Sequence, residues 1–222
     1  MRTILGVGLF LVPLAACVVS IDGGSCSVHA LHGSGVAASV ERAVPAFSRV
    51  EVRGSADVVA HVGAATSLRL SGDDNLLPYV TTEVTGETLV ISLQPGSYDF
   101  ERDLVVELGT PRLESFAVSG SSDSELDGFD GGSLALAISG SGDVRASGRV
   151  DHVQVSITGS GDMRLEGLEA RAGTVSIAGS GSVSVDARES LDVRITGSGD
   201  VRYSGRPVLS QQVTGSGDVR QE

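Results

Sequence analysis

Apolar residues in the second half of the chain recur on a period of two. Leu134, Leu136 and Ile138 alternate with small residues, and the same pattern returns at Val153, Val155 and Ile157 and at Leu191, Val193 and Ile195. Each triplet runs into a glycine-rich corner. Beyond the corner stands a second apolar pair: Val144 and Ala146, Met163 and Leu165, Val183 and Val185, or Val201 and Tyr203. Period-two alternation on both sides of a corner predicts two short strands that share one inner face.

The corners themselves repeat. GSGD begins at Gly140, Gly159, Gly197 and Gly215, GSGS at Gly179, and a degenerate GSSD at Gly120; the spacings are 20, 19, 20, 18 and 18 residues. A unit of that length cannot bury its own apolar face, so the units must stack. The expected fold is all-β, a β-solenoid with coils of about 18–20 residues. A leucine-rich repeat lacks its L-x-x-L-x-L pattern here, and a propeller blade needs about 40 residues.

Corner chemistry follows from that stacking. The pairs Gly140 and Gly142, Gly159 and Gly161, Gly197 and Gly199, and Gly215 and Gly217 are expected to turn with positive φ where a Cβ would clash. The serine between each pair could bond to its neighbours up the column. Asp143, Asp162, Asp200 and Asp218 would then stack as like charges, which is destabilising unless something relieves it. Two residues after each stands an arginine: Arg145, Arg164, Arg202 and Arg220. In the GSGS coil both are lost together, to Ser182 and Ser184. That paired loss favours an Asp–Arg ladder over a calcium column, with no metal and no cofactor.

Phe47 to Leu108 is less regular. VEVRGSADVVAHV reads as a first coil around Gly54, and Thr85-Gly86-Glu87-Thr88 as a hairpin turn. DLVVELGTPRLESFAVSG is expected to run directly into the repeats. The whole segment reads as the cover of the solenoid's open end, because a bare end exposes strand edges. Gln211 stands at a position that is apolar in earlier coils, as suits a last, less buried rung.

The N-terminus adds a location. Met1-Arg2 precedes an apolar run from Ile4 to Val12, too short for the roughly 20 residues of a bilayer span. It ends in Leu14-Ala15-Ala16-Cys17, a bacterial lipobox, so residues 1–17 are expected to be a lipoprotein signal with Cys17 carrying the lipid. Acyl chains add about 0.8 kcal/mol of membrane affinity per buried CH₂. Val18 in place of Asp favours the outer membrane. Residues 18–45 read as a flexible tether and 46–222 as the domain. Cys26, His29 and His32 make C-x2-H-x2-H but lack the rigid fourth ligand of a structural zinc site.

Composition narrows the function. A net charge of −12, with arginine as the only strongly basic residue type, gives no basic face for nucleic acid. His61 and His152 stand alone in sequence, and Asp73-Asp74 is the best acidic pair, read as a turn with solvated carboxylates. No nucleophile–base constellation or phosphate-cradling loop is visible, which argues against an enzyme.

The ordered combination of VRGSADVVAHV, SGDDNLLPYVTTEVTGETLVISL, PRLESFAVSG and the GSGD-V repeats resembles the head GIN domain family of autotransporter adhesins, over about Phe47 to Val219. The resemblance implies a single-stranded right-handed β-helix and brings no catalytic residues. The expectation is a lipid-anchored, non-enzymatic envelope solenoid, adhesive toward a protein or glycan ligand. The alternatives are a structural envelope lipoprotein whose strand edges support oligomers, and a polysaccharide-active β-helix enzyme.

Overall fold

In the computed structural model, which describes residues 30–222, every element but one short 3-10 turn is a β-strand. Strands β1 (Leu31–His32) and β2 (Ala37–Glu41) precede a first coil, β3 (Arg49–Gly54) and β4 (Asp57–Val62). An insertion then supplies β5 (Ser67–Asp73), the 3-10 turn (Leu77–Tyr79), β6 (Val80–Thr85), β7 (Thr88–Leu93), β8 (Tyr98–Asp99) and β9 (Val105–Thr110). The repeats follow as β10 (Ser115–Gly120), β11 (Ser124–Asp130), β12 (Ser133–Gly140), β13 (Val144–Gly159), β14 (Met163–Gly179) and β15 (Ser182–Gly197). The chain ends in β16 (Asp200–Ser204), β17 (Val208–Gly215) and β18 (Val219–Gln221).

The result is a β-solenoid of about five turns. Its first wall stacks β3, β10, β12, the second halves of β13 to β15, and β17, all parallel and in register. The second wall stacks β4, β11, the first halves of β13 to β15, β16 and β18. The alternation seen in sequence places the triplets inside: Ile138, Ile157, Ile177 and Ile195 lie one above the other, each no more than 2% exposed. At about 25 cal/mol per Å² of apolar surface removed from water, such columns dominate the stability. Gly173 replaces the apolar residue that faces inward at Val153 and Leu191, and the Leu191 side chain leans into the space it leaves.

Residues 63–114 separate β4 from β10, yet β10 pairs directly with β3 and β11 with β4. The insertion folds back beneath the first coil. There β7 extends the first wall next to β3, and β9 extends the second next to β4. Below them the direction reverses, with β6 antiparallel on β7, β5 on β9 and β2 on β5. Phe47, Leu70 and Leu77 fill this end. The expected cover is present, but it is built by reversal: β9 does not run into β10 as a neighbour, and the chain crosses the first coil between them. Thr110 holds the crossing, its hydroxyl within 2.7 Å of the Phe47 carbonyl oxygen and 3.0 Å of that of Arg112.

The tether expected over 18–45 is shorter within the described residues. From Leu31 on, the chain is docked: β1 pairs with β8 and β2 with β5. Arg42 then donates to the carbonyls of Leu77 and Val80 and to the Thr82 hydroxyl, which ties this segment to the cover. Cys17, Cys26 and His29 lie outside the described residues. At the other end Gln211 stands opposite Val193 and is exposed, and Val208 is 79% exposed.

Candidate functional site

The repeated corner is a continuous hydrogen-bonded column. Gly54, Gly120, Gly140, Gly159, Gly179, Gly197 and Gly215 stack with φ between +120° and +141°. A Cβ on Gly159 would collide with the Gly140 carbonyl oxygen, so glycine is required by conformation and by contact together. The second glycines, Gly142, Gly161, Gly199 and Gly217, have no positive φ. They are needed only because the coil below lies against their Cα. Each corner serine donates its backbone N–H to the first glycine of the previous coil, as Ser160 does to Gly140 at 2.9 Å. Their side chains face solvent instead of bonding to one another.

The aspartates have a role that spacing alone did not reveal. The Asp57 carboxylate accepts the N–H of Asp123, Asp123 that of Asp143, Asp143 that of Asp162, and Asp162 that of Ser182, at 2.9–3.1 Å. Ser182 has no carboxylate, so the Asp200 N–H turns to the Gly181 carbonyl at 3.3 Å, and the run resumes from Asp200 to Asp218. Backbone dipoles therefore stabilise each charge. This makes the Asp–Arg ladder only partial. Arg164 lies 3.0 Å from Asp143 and 3.8 Å from Asp162, and Arg220 pairs with Asp218 at 2.5 Å. Arg145 and Arg202 form no ion pair among the described residues. No group of three or more metal-ligating side chains converges among those residues.

His61 is not isolated. Its Nδ1 lies 3.0 Å from Asp127, the register partner across β4 and β11. It borders an open groove of about 620 Å³ with Arg42, Ser67, Arg69 and Glu107 among its walls. Ser67 stands beyond Gly109, two strands away from His61, or about 10 Å at ordinary strand spacing. No serine–histidine hydrogen bond forms there, so a nucleophile–base pair is not assembled. His32 contacts Asp99 at 2.9 Å.

Asp73 corrects another expectation. It is fully buried, while Asp74 is exposed. One Asp73 oxygen accepts the N–H of Gly35 at 2.8 Å, and the other accepts those of Glu101 and Arg102 at 3.0 and 3.1 Å. A single carboxylate thus staples the entering chain and the β8 loop to β5.

Another candidate surface is the outer face of the first wall. Ala117, Ala137, Ser156 and Ser176 fall in line across β10, β12, β13 and β14, flanked by other Ser, Thr, Ala and Gln side chains and, at one edge, by His152. This field carries no acidic or arginine side chain. Charges begin only at its borders, with Arg49, Glu51 and Arg53 on one side and Asp192 and Arg194 on the other.

No curated protein matches the chain. Among solved structures, a "putative adhesin" from Bacteroides fragilis is similar with a TM-score of 0.70 and 20% identity, covering 86% of this chain and 100% of its own. A "putative lipid binding protein" from Parabacteroides distasonis is 25% identical with a TM-score of 0.54, covering 87% of this chain and 100% of its own. A "putative adhesin" from Parabacteroides merdae is 18% identical with a TM-score of 0.54, covering 86% and 98%. The sequence profile described as "Putative auto-transporter adhesin, head GIN domain" matches residues 46–207, so the chain belongs to the head GIN domain family.

Proposed function

We propose that this protein is a lipid-anchored, non-enzymatic solenoid of the bacterial cell envelope that binds a partner through the outer face of its first wall. The observation that carries the reading is that face: in register over β10 to β14 and free of acidic and arginine side chains, in a chain of net charge −12. Small hydroxyl and methyl groups on a regular lattice suit contact with an extended glycan or protein surface. The adhesin names of the relatives support this reading, and the lipobox at Cys17 supports the anchor.

Binding of the full chain to glycans, matrix proteins and envelope extracts tests it, beside a Ser156→Arg, Thr174→Arg double variant. Both residues point outward, so the variant should keep its thermal midpoint and lose binding at least ten-fold. Binding that survives both substitutions would move the contact elsewhere. For the anchor, Cys17→Ser should release the protein from membranes, and undiminished membrane association would overturn it.

A further inference from the structure

The covered end of the solenoid carries an apolar cluster that packs on the core from one side and stays partly exposed on the other. Tyr79 and Tyr98 lie with ring centroids 5.6 Å apart, and Phe100 is 6.3 Å from Tyr98. All three are partly exposed. Leu31, 38% exposed, is the register partner of Tyr98 across β1 and β8, so the four side chains form one cluster. Burial, and then the neighbouring Tyr79, push the Tyr98 phenol up.

We propose that this cluster is a membrane-contact patch, which seats the covered end on the interface of the bilayer that holds the anchor. The inference rests on the lipid-anchor reading. Cys17 precedes Ala30 by thirteen residues, at most about 45 Å of fully extended chain, and that chain joins the domain at Leu31, inside the patch. Tyrosines with an apolar body and a polar tip suit the headgroup level, and Leu31 suits the acyl boundary. The ring planes are tilted by 53° and 39° to one another, so they share no single flat platform. Asp99 and Glu101, which flank Phe100 in the chain, favour zwitterionic over anionic lipid.

The chain contains no tryptophan, so one introduced indole reports its own surroundings. Leu31→Trp and, at the opposite end, the exposed Val208→Trp are made in the full chain. Each is mixed with phosphatidylcholine–phosphatidylethanolamine vesicles bearing brominated acyl chains. The expected result is blue-shifted emission and quenching at least three-fold stronger at position 31. Equal quenching at both positions, or none at 31, overturns the patch. A shift of the position-31 emission on adding soluble glycans without vesicles also overturns it, in favour of a sugar site. Mass analysis of the N-terminal peptide reads the anchor separately. An unacylated chain still quenched at 31 defeats the anchor alone, and an acylated chain unquenched at 31 defeats the patch alone.

Discussion

Asp143 receives the backbone N–H of Asp162 from the coil above, at 3.1 Å, and also holds the Arg164 guanidinium at 3.0 Å. Asp143→Ala removes an acceptor from a part-buried donor and the nearer of the two carboxylates beside Arg164, a loss of about 1–3 kcal/mol. Asp143→Asn keeps the backbone acceptor and should fall well short of that. Denaturant midpoints of the two variants separate the contributions. Because the charges are met by N–H groups, calcium or a chelator should leave the wild-type midpoint unchanged.

Gly159→Ala meets both the positive φ and the carbonyl below, whereas Gly86→Ala at the β6–β7 hairpin has φ +62° and open space. The hairpin variant should cost about 1 kcal/mol. The column variant should cost at least twice as much, since the coil spacing must open locally. Thermal melts of the pair check the ratio.

Asp73→Ala leaves the N–H groups of Gly35, Glu101 and Arg102 without their acceptor. Hydrogen exchange should quicken over residues 31–41 and 97–103, while the amides of β13 to β15 keep their protection. A uniform rise across all coils would refute the assignment of Asp73 as a local staple.

Stability should also depend on pH through Asp57. Burial raises its carboxyl above the ordinary carboxylate value, and Asp123 and Asp103 add to this, against the hydrogen bond from the Asp123 backbone. The folded state therefore holds the proton more tightly than the unfolded chain. The stabilisation is complete below the ordinary value and is lost as pH rises through the raised one. Asp57→Asn does not titrate, so its stability relative to wild type should rise with pH across that window and level off above it. Denaturant midpoints of both proteins from about pH 3 to 7 give the difference, and a flat difference would remove Asp57 as the cause.

Much of the solenoid was legible because its interactions are periodic. Leu134, Leu136 and Ile138 announce an inner face, and the recurrence of GSGD gives the coil length. The covered end was harder, because β3 and β10 become neighbours only when residues 63–114 leave the stack. The His61–Asp127 pair was hidden for the same reason. A signal did exist: the corners at Gly54 and Gly120 differ by 66 residues, as do His61 and Asp127. Asp73 was misread since nothing local distinguishes it from Asp74; its burial depends on two distant segments closing over it.

The backward fold of residues 63–114 also governs how a domain of this kind can change length. Reversed strands seal the side that precedes the first coil, and a new unit there would have to break β7 from β3 and β9 from β4 together. From Gly120 onward each coil meets its neighbours through the same corner, so a whole repeat can be duplicated or deleted while the register of the first wall is kept. Reach away from the sealed end is thus a freely adjustable quantity, set in steps of one strand spacing, about 4.8 Å.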